Sequence, residues 1–288
     1  MKARVVLRTL RSWRTARSWL ASFLVVLGIL EGAISLLAAF FPAKIQEGRW
    51  WYLLIVVIIS ITIATARAWP RSRYSKRFAV PNTQVSIVVG DLFEQDGHLV
   101  IGMSDTFDTE TPRVISSKSV QGQFLQREYA DDRAQLDADL VEALQGTRVA
   151  SVEPRSSKPL GKLERYGIGT VAVLGTVKRH YFCVAYASMS NKLVAQATVE
   201  GIWTSLANVW KEVRGQAQLN AVSIPVVGSG LARLSAQLSN ADLVRLIAIS
   251  FLAASRERVV TRHLQIVIHP RDAEDLDLRE LAEILAAQ

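Results

Sequence analysis

The chain contains little cysteine and histidine, and both scarcities exclude whole classes of site. Cys183 is the single cysteine among 288 residues, which excludes an internal disulfide and fits a reducing compartment. It lies in an apolar run, so we expect a buried core thiol rather than a nucleophile. The four histidines, at positions 98, 180, 263 and 269, lack the spacing of metal ligands, so no metal site is predicted. No cofactor is predicted either.

Most of the chain also lacks an excess of positive charge, although the formal net charge of all 288 residues is +8. Residues 1–78 hold 13 Lys and Arg against 2 Asp and Glu, whereas residues 79–288 hold 21 against 24. A nucleic-acid-binding domain needs a basic face of its own, so this distribution argues against nucleic acid as a partner. We expect the basic N-terminal segments to contact anionic lipid head groups instead.

What the sequence does contain is two long apolar runs, Trp19–Phe41 and Trp50–Trp69, separated by the polar stretch Pro42–Arg49. As a helix, each run is long enough to cross the hydrocarbon core of a bilayer, which is roughly 30 Å thick. Basic residues precede the first run and follow the second, so the positive-inside rule predicts that both termini are cytoplasmic. The alternative is a cleaved signal peptide plus one anchor, but the first run is long for a signal peptide.

Small residues form one face of the first run. Gly28 and Gly32 lie four residues apart, Ser35 continues their face at helical spacing, and Glu31 lies beside it. Such faces let helices pack closely in lipid, so we predict that these four residues pack the spans in a homo-oligomer. An intramembrane carboxyl is costly to expose, so Glu31 is expected to pair with a hydroxyl such as Ser60 or Thr62, or to line a pore.

After the second run, strand-like segments alternate with helical ones, which predicts an α/β domain whose sheet is covered by helices. The predicted organisation is a basic cytoplasmic N-terminus (1–18), a transmembrane helical hairpin (19–69, with spans 19–41 and 50–69), a basic linker (70–83) and the α/β domain (84–288). The predicted helices of that domain are Gln121–Leu144, Leu193–Val213, Asn240–Ala254 and Ala273–Leu285. The predicted strands are Val85–Val89, His98–Met103, Thr170–Leu174, Tyr181–Ala187, Leu219–Val227 and His263–Ile268.

Candidate ligand-binding segments follow three of these strands, because ligands of such sheets bind outside the carboxyl ends of strands. They are Gly90-Asp91, the segment Gly102–Thr109 with the polar residues Ser104–Asp108, and the late segment Val227–Leu234 with Gly228-Ser229-Gly230. A glycine-rich turn can present backbone N–H groups to a phosphate, and the Phe107 ring can stack on a base. Taken singly, Asp91 fits a turn or cap residue equally well, the Gly-Ser-Gly segment is more often only a tight turn, and the polar segment also fits an ordinary solvated loop.

Together these segments resemble a macro domain over about residues 84–288. The generic part of the resemblance is the strand ending in Gly90-Asp91-Leu92 and the late segment Ile224–Leu231. The specific part is Ile101–Thr109 with Val114-Ile115-Ser116, which is similar to the macro domain of Thoeris anti-phage effectors. The two preceding apolar runs also match how those effectors are built. The implied fold is a mixed sheet flanked by helices.

The resemblance implies a pocket for ADP-ribose. Asp91 matches the acidic residue that contacts adenine, the loop 227–231 matches the one around the diphosphate and ribose, and the loop 103–109 matches the one around the distal ribose. The implied ligand-binding residues are Asp91, Leu92, Met103, Ser104, Asp105, Thr106, Phe107, Asp108, Val227, Gly228, Ser229, Gly230 and Leu231.

The resemblance also implies a partner and an output. A TIR-domain protein would make an ADP-ribose-derived signal, with histidine-linked ADP-ribose as the leading candidate, and the signal would trigger oligomerisation and membrane disruption. Hydrolytic macro domains use an asparagine in the second loop, and none occurs between Asn82 and Asn191. We therefore predict a ligand-gated effector of the bacterial inner membrane rather than an enzyme. A membrane-tethered ADP-ribosyl hydrolase and a plain structural anchor are the alternatives.

Overall fold

The computed structural model describes residues 13–40, 49–68, 72–229 and 238–275, together with residues 281, 283 and 285. The chain divides into two compact units, with the division between Arg71 and Ser72.

The first unit contains two apolar helices, α1 (Trp13–Phe40) and α2 (Arg49–Ala68). Both are long and apolar enough to cross a membrane, with mean hydropathies of 2.0 and 1.8 over their best 18-residue windows. The helices pack on each other, since Val26 and Ala64 are buried and Trp19 Nε1 donates to Thr65 Oγ1 at 3.2 Å. The two predicted helices are therefore confirmed, except that their predicted last residues, at positions 41 and 69, lie outside the described residues.

The small-residue face of α1 is not used to pack it against α2. Gly28 and Gly32 are exposed, and a Cβ added to either would meet nothing within 4 Å. Ser35 and Glu31 are exposed as well. Ser60 Oγ is buried with no hydrogen-bond partner in the described part of the chain, and Thr62 donates to the Ile58 carbonyl at 2.8 Å. The described part of the chain therefore shows no hydrogen bond between Glu31 and either hydroxyl, which contradicts one of the two sequence-based hypotheses.

The second unit is an α/β domain built on a mixed sheet. Its described strands are β1 (Arg73–Phe78), β2 (Thr83–Val89), β3 (His98–Ser104), β4 (Val149–Val152), β5 (Glu164–Tyr166), β6 (Val171–Thr176), β7 (Arg179–Met189), β8 (Ala195–Gln196), β9 (Val222–Pro225) and β10 (His263–Ile268). Its described helices are α3 (Val120–Glu128), α4 (Arg133–Ala143), α5 (Val199–Gln216) and α6 (Asn240–Glu257), followed by a 3₁₀ turn at Asp272–Asp275.

The main sheet runs in the order β1-β2-β10-β9-β3-β7-β6, and β8 pairs with β7. The central neighbours from β2 to β7 are parallel, while β1 and β6 pair antiparallel at the two edges. Side chains of α5 and α6 fill the core on one face of the sheet, and side chains of α3 and α4 fill it on the other. The predicted fold, a mixed sheet flanked by helices, is confirmed. Cys183 is a buried core thiol, as predicted, and burial raises its pKa.

The predicted linker 70–83 proves wrong in part, because Arg73–Phe78 is the edge strand β1. This segment pairs antiparallel with β2 over its whole length, and Phe78 at its end is buried in the core. Its basic residues suggest a solvated linker, yet charged side chains are what an exposed edge strand tolerates. The second unit begins at Ser72 and not at residue 84, twelve residues earlier than the sequence predicts.

Two predicted helices differ most from the structure. The predicted helix Gln121–Leu144 is interrupted, because Ala130 and Asp131 adopt positive φ angles of 49° and 64°. Asp132 then caps α4 by accepting from Gln135 N at 3.0 Å. The predicted helix Leu193–Val213 begins only at Val199, since the preceding Ala195–Gln196 pairs with β7 as β8.

Candidate functional site

Parallel pairing brings several predicted ligand-binding residues to one edge of the sheet. β2, β10 and β9 are parallel neighbours, so the chain leaves all three strands on the same side. A cleft opens there, in front of α3. Its walls include Asp91, Leu92, Phe93, Val120, Gln123, Val226, Ser229 and His269. Asp91 and Ser229, which are more than a hundred residues apart in sequence, thus lie in one cleft, as the sequence predicts.

Asp91 is held in place from two sides. Its Oδ1 accepts from the backbone N of Phe93 at 3.0 Å, in a turn of the kind that aspartate favours after a strand. Its Oδ2 accepts from Arg127 Nη1 at 2.7 Å, and its carbonyl accepts from Gln95 Nε2 at 2.8 Å. The carboxylate is therefore oriented at the mouth of the cleft, while its side chain stays 26% exposed.

The loop after β9 forms a tight turn, and its residue Ser229 lines the same cleft as Asp91. Gly228 has a φ of 92°, a conformation that glycine adopts without strain. Ser229 Oγ donates to the Val226 carbonyl at 2.7 Å, which closes the turn. Val227 is buried in the core and does not face the cleft. Gly230 and Leu231, the other two predicted binding residues of this loop, lie outside the described residues.

The predicted ligand-binding residues in the loop after β3 do not line this cleft. Met103 is a core residue, and all five residues of Ser104–Asp108 are buried. Phe107 adopts a φ of 47°, and its ring packs edge-on against Tyr166 with centroids 5.6 Å apart. None of these side chains lines the cleft that contains Asp91. In the described part of the chain, their contacts hold the loop in place.

Asp108 forms a buried ion pair with Lys158. Lys158 Nζ donates to Asp108 Oδ2 at 3.1 Å, and the two side chains are 0% and 1% exposed. Lys158 Nζ also donates to the Lys162 carbonyl, while Asp108 accepts from Thr106 Oγ1 at 2.6 Å and from the Lys162 backbone N. Every oxygen of the carboxylate is thus satisfied, which a buried charge requires.

Asp105 forms a second anchor for the same loop. Its Oδ1 accepts from Met189 N at 2.8 Å, and its Oδ2 accepts from Arg165 Nη1 at 2.9 Å. Arg165 also donates to Glu153 and Asn191 at 2.8 Å each. Burial disfavours the charged form of Arg165, but its hydrogen bonds with Glu153 and Asp105 outweigh that effect and raise its pKa. The loop is therefore braced against β7 and the hairpin of β4 and β5.

Neither Lys158 nor Arg165 is a predicted site residue, and no element is predicted for the stretch 145–169 that contains both. Their partners, Asp108 and Asp105, lie 50 and 60 residues away in the sequence. Charged residues in a turn-rich stretch usually face solvent, so composition alone predicts, wrongly, that Lys158 and Arg165 are exposed. The signal available was the unusual pair of aspartates in the loop after β3, which need cationic partners if they are buried.

Comparisons with known proteins agree on one family. The family described as "Thoeris protein ThsA, Macro domain" matches residues 85–269. Thoeris protein ThsA of Bacillus amyloliquefaciens is 23% identical over 278 residues, which cover 94% of this chain and 90% of that protein. A mutant of the Oceanobacillus iheyensis macrodomain superimposes with a TM-score of 0.50 at 14% identity, covering 76% of this chain and 97% of the other. At that identity, the superposition shows the fold alone.

Proposed function

Because the chain belongs to the Thoeris ThsA macro-domain family, we propose that it is a ligand-binding effector of anti-phage defence. Its signal is an ADP-ribose derivative made by a TIR-domain partner, with histidine-linked ADP-ribose as the leading candidate. The observation that carries this proposal is the cleft where Asp91 and Ser229 meet. The Asp91 carboxylate is an acceptor that suits the amine of a nucleotide, and the half-buried ring of Phe93 suits its base. The glycine turn suits its phosphates.

Replacing Asp91 with alanine tests the proposal. We expect the affinity of the full chain in lipid nanodiscs for ADP-ribose, measured by calorimetry, to fall by about 1–3 kcal/mol, because a charged acceptor is lost. Asp96→Ala, an exposed aspartate in the same loop, is the matched control and should bind like the unsubstituted chain. Equal affinity in the Asp91 variant and the control would show that the cleft is not the binding site.

We further propose that the domain does not hydrolyse its ligand. In the loop after β3, both aspartates are already paired, Asp105 with Arg165 at 2.9 Å and Asp108 with Lys158 at 3.1 Å. A carboxylate held by a cation is a poor general base, and the loop contains no asparagine to orient a water. Long incubation with an ADP-ribosylated protein should therefore leave the modification intact by mass spectrometry. Steady release of free ADP-ribose would favour the tethered hydrolase instead.

The proposed output is oligomerisation of the chain and disruption of the bacterial inner membrane, with both termini cytoplasmic. Support comes from how few residues of the chain separate the second apolar helix from the first strand of the α/β unit. α2 ends at Ala68 and β1 begins at Arg73, and Val89 N donates to the Ser72 carbonyl at 2.8 Å. Val89 lies two residues before Asp91. A ligand that shifts this strand end on binding therefore also shifts Ser72, where the α/β unit begins. A ligand drives such a change only by favouring one state over another.

A further inference from the structure

Arg127 joins two walls of the cleft. It lies in the last turn of α3, four residues after the cleft residue Gln123, and residues four apart share a helix face. Its Nη1 donates to Asp91 Oδ2 at 2.7 Å, and its guanidinium carbon lies 5.3 Å from the centroid of the Phe93 ring. Asp91 and Phe93 both line the cleft. One guanidinium therefore contacts both the acceptor and the aromatic ring that a base would meet.

Stability alone gives little reason for this contact. The side chains of Arg127 and Asp91 are 40% and 26% exposed, and ion pairs exposed to solvent contribute little to folding. The chain offers a comparison in Arg133, whose Nε lies 3.4 Å from Asp137 Oδ2 and whose side chain is 51% exposed. That pair lies on α4 and takes no part in the cleft.

On the basis of the proposed function, we infer that Arg127 is a positioning residue. It makes the cleft select a 6-aminopurine over a 6-oxopurine. With Phe93 N on one oxygen and Arg127 on the other, the Asp91 carboxylate cannot rotate freely. An ionised carboxylate has about four acceptor positions and no donor, so two positions remain for a ligand. It attracts an exocyclic amine and repels a carbonyl oxygen at the same place on the base. Without Arg127 the carboxylate rotates and is hydrated, and that discrimination weakens.

The test compares ADP-ribose with its hypoxanthine counterpart, inosine diphosphate ribose, by calorimetry on the full chain in nanodiscs. We expect the unsubstituted chain to prefer ADP-ribose by about tenfold, the equivalent of about 1.4 kcal/mol. Arg127→Ala should lose most of that preference and bind ADP-ribose about tenfold more weakly. Arg127→Lys keeps the charge near Asp91 and should restore part of the preference, while Arg133→Ala should match the unsubstituted chain.

A double variant shows whether Arg127 acts through Asp91. If it does, Arg127→Ala should cost little further affinity in an Asp91→Ala background, because coupled residues are not additive. An Arg127→Ala variant that keeps the full preference, or that binds ADP-ribose more tightly, overturns the inference and leaves the proposed function standing. If the unsubstituted chain binds neither nucleotide, the proposed function fails, and the inference fails with it.

Discussion

Replacing Lys158 with methionine should destabilise the α/β unit by about 3–5 kcal/mol, because it leaves the buried Asp108 carboxylate without its cation. Both side chains are fully buried, so no water replaces the lost ammonium. Methionine keeps most of the volume of lysine, so the effect measures the charge rather than a cavity. Hydrogen exchange of amides in β3 and β7, read by mass spectrometry on the full chain, should accelerate by roughly two to three and a half decades.

Two further variants distinguish the effect of an unpaired buried charge from a general loss of stability. Lys162 Nζ lies 2.6 Å from Asp137, but these side chains are 30% and 28% exposed, so Lys162→Met should cost at most about 1 kcal/mol. Lys158→Met combined with Asp108→Asn removes both charges and should be more stable than Lys158→Met alone. A Lys158→Met variant with unchanged exchange would mean that the pair does not hold the loop after β3.

Elements with local signals were predictable to within a few residues. Ser239 and Asp242 form a capping box at the start of α6, and the predicted helix begins there. Pro270 follows β10, whose observed and predicted bounds coincide. The break between α3 and α4 was not predictable from periodicity, because apolar residues continue at helical spacing across it. It depends on two exposed non-glycine residues with positive φ, where Asp131 N donates to the Leu125 carbonyl at 3.1 Å.

The candidate site was predictable where topology alone decides it. Residues that follow parallel strands must meet at one edge, and Asp91 and Ser229 do so. The polar loop after β3 follows the same rule, but its side chains face inward because Lys158 and Arg165 come from a distant hairpin to pair with them. Arg127 is recognisable only once α3 is placed beside the loop that follows β2 and contains Asp91. A single sequence can indicate that a buried aspartate needs a cationic partner, but it does not show which distant residue is that partner.

Leucine at both Gly28 and Gly32 should abolish membrane damage while leaving ligand affinity unchanged. Both positions are exposed on α1, with open space where a side chain would grow, so leucine fits within a single chain. Any loss of output must then come from contacts with another copy, where bulky residues prevent close approach of the helices. In the proposed assembly, close approach also crowds the Glu31 carboxyls, and charged groups in mid-membrane draw in water.

The measurement is uptake of a membrane-impermeant dye by phage-infected cells that carry the chain and the proposed TIR-domain partner. Ala33→Leu adds bulk at another exposed position of α1, away from the glycine face, and should leave dye uptake unchanged. Calorimetry with ADP-ribose on the same variants checks that the cleft still binds, so that loss of uptake is assigned to the helices. If the double-leucine variant still admits dye at the normal rate, the glycine face does not pack the assembly, and the output must arise from another surface of the spans.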